Sequence, residues 1–117
     1  MEQAGAAEPD PTLGPRLTVY VDDWRQRATV RDRTDRWSHL LADDPEELHA
    51  MAAALGIPRR GFQHHRRSAA LNHYDVPEAL RVQAIALGAV AVTWREMARL
   101  TRAWRRAGAR PATPGPP

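Results

Sequence analysis

The sequence predicts an α/β fold: a small single-layer sheet of three to four strands flanked by three helices. Three observations predict it. β-branched and aromatic runs from Leu17 to Asp22 and from Trp37 to Leu41 read as strands. Two later segments carry paired helix start and stop signals, Asp44 with Gly56 and Asp75 with Gly88. Between the second of these and an amphipathic C-terminal segment lies a short apolar run, Ala89 to Val92, which fits a strand covered on both faces. The resulting order, β-β-α-loop-α-β-α, is that of an α/β domain.

Taken in order, the first strand ends in Asp22-Asp23, and Trp24 to Arg36 reads as a polar, arginine-laden loop without a clear period. Trp37 to Ala42 forms the second strand, stopped by Asp43-Asp44-Pro45. Asp44 and Glu47 form a capping box for the first helix, whose buried stripe is Leu48, Met51, Ala52 and Leu55. Residues 59–72 are expected to be a long irregular loop with one short strand around Phe62; loops of that length in small domains are often functional. Asp75 and Glu78 form a second capping box, with Pro77 in the first turn. The last helix runs from Trp94 to Arg106, docked by Trp94, Met97, Leu100 and Trp104.

Residues 1–15 and 108–117 carry seven of the ten prolines and no apolar period, so both are expected to be disordered tails around a single domain at 16–107. Cysteine is absent, which excludes disulfides and thiolate metal sites and suits a reducing cytoplasm. The longest apolar run is about half of what a membrane span requires, so no membrane association is expected. All 17 cationic residues are arginine. That bias suits a G+C-rich coding sequence and equally suits bidentate contacts to phosphate or carboxylate.

The motifs Val19-Tyr-Val-Asp22, Trp37-Ser-His-Leu40, Glu47-Leu-His-Ala50, Phe62, His73-Tyr-Asp-Val-Pro77 and Ala86-Leu-Gly-Ala-Val90 occur in order and without large gaps. On these residues the chain resembles domain-of-unknown-function family four thousand and thirty-one, a group of short bacterial and phage proteins, over about residues 17–100. The resemblance implies a compact α/β domain and brings no assigned activity. Relatives commonly carry prolines where this chain has Asp23-Trp24, and an aspartate where it has Asn72, which sets Asp23 and Asn72 aside as carriers of essential chemistry.

All five histidines fall between His39 and His73, with acids close by. Imidazole and carboxylate together are the usual ligands of a divalent metal in hydrolytic sites. Asp22 stands at the carboxyl end of a strand, where open α/β sheets place ligand-binding groups. His39, inside a strand with apolar neighbours, needs a polar partner such as Asp22 or Asp75. The catalytic candidates are therefore Asp22, His39, His73 and Asp75, with Asp22, His39 and His73 as candidate ligands of a divalent metal. The anion-binding candidates are Arg59, Arg60, Arg66 and Arg67 in the loop, and Arg95, Arg99, Arg102 and Arg106 on one face of the last helix. No aromatic residue interleaves with that arginine face.

Three readings follow: a metal-assisted phosphoester or nucleic-acid hydrolase; a non-enzymatic module that binds nucleic acid or another polyanion through arginine, with nucleic acid or another phosphorylated ligand as the expected partner; and an interaction protein whose polar cluster is structural. Stoichiometric metal separates the first from the others, and salt-sensitive binding without metal marks the second.

Overall fold

A computed structural model describes residues 18–66 and 68–107. The expected tails and Arg67 lie outside the described residues. The elements in order are β1 (Val19–Val21), β2 (Gln26–Val30), β3 (Arg33–Ala42), α1 (Pro45–Ala54), β4 (Phe62–Gln63), β5 (His73–Pro77), α2 (Glu78–Ala86), β6 (Val90–Ala91) and α3 (Trp94–Arg106), with single 3-10 turns at Arg59–Gly61 and Ala69–Leu71. No helix among the described residues is long and apolar enough to cross a membrane.

The fold is α/β with three helices, and its sheet has six strands rather than three or four. The strand order is β4-β5-β3-β1-β6, with β2 also paired to β3. β6 runs parallel to β1 and all other pairs are antiparallel. β3 is the axis of the sheet. One edge pairs with β5, and the other pairs first with β2 and then with β1.

Side chains alternate across the sheet, so each face can be read from the register. Val19, Val21, Leu40, Ala42, Tyr74 and Val76 share one face and are buried with Leu48, Ala52 and Leu55 of the α1 segment and with Ala84 of α2. This is the core. The opposite parity puts Tyr20, His39, Leu41, His73 and Asp75 on the other face. α3 covers part of that face, with Met97 and Thr101 buried and the Trp104 ring centroid 6.1 Å from that of Tyr20.

Several local readings are corrected. The expected loop at 24–36 contains β2 and the first part of β3, a hairpin closed by Arg31 and Asp32 with φ of 49° and 66°. Both turn residues are left-handed, as a type I′ hairpin turn requires, although neither is glycine or asparagine. The hairpin's solvent-facing strands leave no apolar alternation in the sequence. Residues 89–92 do not form a covered central strand. β6 is a two-residue edge strand with Val90 44% exposed, while Ala89 joins the core and the Val92 N–H bonds the Val21 carbonyl at 2.9 Å.

Helix ends are corrected too. Asp44 caps α1 as expected, accepting from the Glu47 N–H at 3.2 Å. Asp75, by contrast, lies in β5, and α2 begins after Pro77 with no side-chain cap of its own. The Glu78 N–H is met instead by Asp35 of β3, whose Oδ1 accepts at 3.2 Å. Thr93 and Glu96 form a reciprocal capping box at the start of α3, and Asp23 accepts from the Trp94 N–H at 2.7 Å. Trp94, expected to dock α3, is 48% exposed.

Candidate functional site

Where β1 gives way to β2 the pairing with β3 is interrupted. The Asp22 N–H still bonds the His39 carbonyl at 3.1 Å, yet the next register pair is Gln26 with Trp37. Asp23, Trp24 and Arg25 therefore face Ser38 alone. Such a bulge bends a strand and re-aims its side chains, and Arg25 takes a left-handed φ of 47° to complete it. The Arg25 N–H donates to Ser38 Oγ at 3.1 Å, which anchors the loop.

The bulge turns the Asp22 side chain back onto β3. Its Oδ1 accepts from the main-chain N–H groups of His39 (2.9 Å) and Trp24 (3.1 Å), and Oδ2 lies 2.8 Å from His39 Nδ1. Asp22 is 2% exposed, and Arg81 Nε donates to its carbonyl at 2.8 Å. A buried carboxylate holding two main-chain donors is an acceptor. His39 Nδ1 therefore carries a proton, and in the neutral imidazole Nε2 is the nitrogen with the lone pair.

β5 supplies the rest. His39 and Asp75 are direct cross-strand partners, and His73 stands two residues before Asp75 on the same face. His73 Nδ1 donates to the Leu71 carbonyl at 2.9 Å, while Nε2 lies 3.2 Å from Asp75 Oδ1. The His39 and His73 rings meet edge to face, with centroids 5.1 Å apart. One ligating atom from each of His39, His73 and Asp75 lies within 4.8 Å of the others.

Charges in this cluster are coupled. Burial pushes His73 down, but the hydrogen bond to Asp75, the Leu71 carbonyl, and the charges of Asp75 and Asp22 outweigh it, so the imidazole sits above its ordinary value. Burial pushes Asp75 up, and the hydrogen bond and charge of His73, followed by the charges of His39 and Arg31, bring its carboxyl below its ordinary value.

Two clefts meet at the cluster. One, of about 340 Å³, is lined by Asp22, His39 and His73 together with Trp24, Trp94 and Met97. The other, of about 260 Å³, is lined by Asp75 with Arg31, Arg33, Trp37 and Gln63. The Trp24 ring packs on His39 with centroids 5.0 Å apart.

The structure thus brings together Asp22, His39, His73 and Asp75. It divides them differently from the sequence reading: Asp22 is engaged in orienting His39, and Asp75 joins the two histidines in its place. The predicted arginines lie elsewhere. Arg59, Arg60, Arg66, Arg95, Arg99, Arg102 and Arg106 are all exposed, and none of them lines either of these two clefts. His49 belongs to the other side of the sheet, where its Nδ1 lies 2.8 Å from the Tyr74 hydroxyl. The Phe62 ring packs edge to face on that of His64, and His65 lines the aromatic cleft. Sequence reasoning missed Trp24, Trp94 and Arg31. The available signal for Trp24 was its place two residues after Asp22 at a strand end.

Fold and cleft together define a small mixed-sheet α/β domain with a histidine–aspartate cluster on the less covered face of its sheet. The chain belongs to the family described as "Protein of unknown function (DUF4031)", which matches residues 19–104. No curated protein and no solved structure matches it.

Proposed function

We propose that this protein is a divalent-metal hydrolase of phosphoesters, with His39, His73 and Asp75 as metal ligands and Asp22 as the residue that orients His39. One observation carries the reading: both histidines have Nδ1 tied to an acceptor, Asp22 for one and the Leu71 carbonyl for the other, while a carboxylate stands beside them. Metal-bound histidines nearly always donate their second nitrogen to such a partner, which fixes the tautomer and the ring.

The spacing fits an ion after a small adjustment. Bonds of about 2.1 Å to a tetrahedral ion put ligand atoms about 3.4 Å apart, so a 4.8 Å spread closes with side-chain movement of the order of 1 Å. Three protein ligands leave a position for water, and a zinc-like ion lowers the pKa of that water to about 7, which supplies a nucleophile at neutral pH. Arg31, which lines the second cleft together with Asp75, offers a cation for a phosphoryl oxygen. The formal net charge of +3 favours an anionic substrate.

The test is metal analysis of untagged protein followed by titration with zinc and manganese. One ion per chain, lost in His73→Ala and Asp75→Asn proteins that keep the wild-type melting temperature, is the expected result. A chain that takes up neither ion overturns the reading. A second reading, polyanion binding without catalysis, draws on the five exposed arginines of α3. It requires salt-sensitive binding that persists in metal-free protein.

A further inference from the structure

The two clefts flanking the cluster differ in what they present: exposed indoles line one and arginines line part of the other, and that contrast bears on the substrate. On one side stand Trp24 and Trp94, which are 40% and 48% exposed and line the same cleft. Of the six large apolar residues exposed among the described ones, these two are the aromatic ones, and both sit beside the histidines. Trp24 rests on the His39 ring, and the Arg95 guanidinium lies 5.1 Å from the Trp94 ring centroid. Neither indole is held out by the core. Trp94 is placed by Asp23 through its main-chain N–H, and Trp24 by the Asp22 bulge. On the other side stands Arg31, whose Nη2 donates to the Arg60 carbonyl at 2.9 Å, so its guanidinium is held in place in the cleft that Asp75 also lines, where its charge acts on that carboxylate. Arg33 lines the same cleft but is paired with Asp35 at 3.0 Å.

We propose that the ligand of this site is a nucleotide, free or within a single strand, with its base stacked on Trp24 and Trp94 and its phosphate at the ligand cluster and Arg31. The inference rests on the reading of His39, His73 and Asp75 as metal ligands, and it names the substrate class that reading leaves open. Flat indoles exposed at a cleft stack on any base, because every base presents a π-face. A cleft of about 340 Å³ is within the range of small-ligand sites. A sugar phosphate or inorganic phosphate would use Arg31 and the cluster but leave both indoles without a role.

Tryptophan fluorescence of the full chain tests this in two buffers, one with excess chelator and one with zinc. The probes are adenosine, adenosine monophosphate, ribose 5-phosphate and a short oligoadenylate. Expected are quenching by adenosine monophosphate, affinity lower by roughly tenfold in Trp24→Leu and in Trp94→Leu, and tighter binding of the monophosphate than of adenosine that Arg31→Ala removes. A tighter oligoadenylate identifies a strand as the ligand, and equal affinity identifies the free nucleotide; either supports the shared chemistry. Ribose 5-phosphate binding as well as the monophosphate, with both tryptophan variants unaffected, overturns the inference. So does zinc uptake without nucleotide binding, which leaves the metal reading standing. Nucleotide binding by protein that takes up no metal supports the base site and removes the metal reading instead.

Discussion

Replacing Asp22 by asparagine separates orientation of the site from its assembly. In the native chain the carboxylate meets three N–H groups: two main-chain donors on Oδ1 and His39 Nδ1 on Oδ2. Asparagine keeps the shape. Its carbonyl oxygen continues to accept the two main-chain donors, which leaves its NH₂ facing His39 Nδ1. Two donors cannot share that contact, so Nδ1 becomes the acceptor and the proton moves to Nε2, removing the lone pair that a metal needs. Losing an outer-shell partner of this kind typically weakens metal binding by about 10–100-fold. Bonds to a charged acceptor contribute about 1.5–3 kcal/mol and neutral ones about 0.5–1.5 kcal/mol, so the fold should lose about 2 kcal/mol and remain intact. Asp22→Ala would leave two buried main-chain N–H groups unpaired, at about 1–3 kcal/mol each, and confound binding with unfolding. Competition against a chromogenic chelator, with melting of the metal-free proteins alongside, measures both quantities. If Asp22→Asn binds zinc as tightly as wild type while His39→Ala and His73→Ala do not bind it, the orienting role is refuted.

Three further outcomes are expected. In metal-free protein, His73 stabilises the fold fully below its ordinary value of 6.5 and loses that contribution as pH rises through its raised folded value, whereas Asp75 contributes above 3.8 and loses it as pH falls through its lowered folded value. The melting-temperature difference between wild type and His73→Gln, measured in chelator, should therefore be largest between those two values and shrink in alkaline buffer. Leu48→Ala empties a site with 0% exposure and should cost about 2–5 kcal/mol in urea denaturation, while Arg99→Ala on the exposed face of α3 should stay within about 0.5 kcal/mol. Asp35→Ala removes the acceptor at the start of α2 and should lower stability in the same assay, by less than Leu48→Ala does.

Elements whose apolar residues all serve one buried face were legible in the sequence. Leu48, Ala52 and Leu55 repeat at helical spacing because α1 lies on the sheet, and Gly56 and Gly88 follow their helices with φ of 78° and 112°. The hairpin was not legible, since a strand pair with solvent on both faces has no alternation for a pattern to catch. β6 was over-read for the opposite reason. Its residues are apolar because Ala89 packs in the core, and that says nothing about cover for Val90. Trp94 was assigned to the docked side of α3 by spacing alone. Met97 and Thr101 make that contact, which leaves Trp94 at the cleft.

The misreading of Asp75 has a single energetic cause, and it is also what assembles the site. Asp75, Pro77 and Glu78 form a credible helix start, and a cap contributes about 1 kcal/mol. Extending the segment as β5 instead lets Tyr74 and Val76 enter the core at 1% and 0% exposure, and burying side chains of that size contributes about 1.5–3 kcal/mol each. The strand wins, and the cap it forgoes is replaced across the sheet by Asp35. Once Tyr74 and Val76 point inward, alternation sends His73 and Asp75 outward, and pairing with β3 sets Asp75 opposite His39. Local sequence could nominate the four residues. Only the cross-strand register, fixed by the core on the far side of the sheet, could decide that Asp75 stands beside the histidines while Asp22 holds one of them from behind.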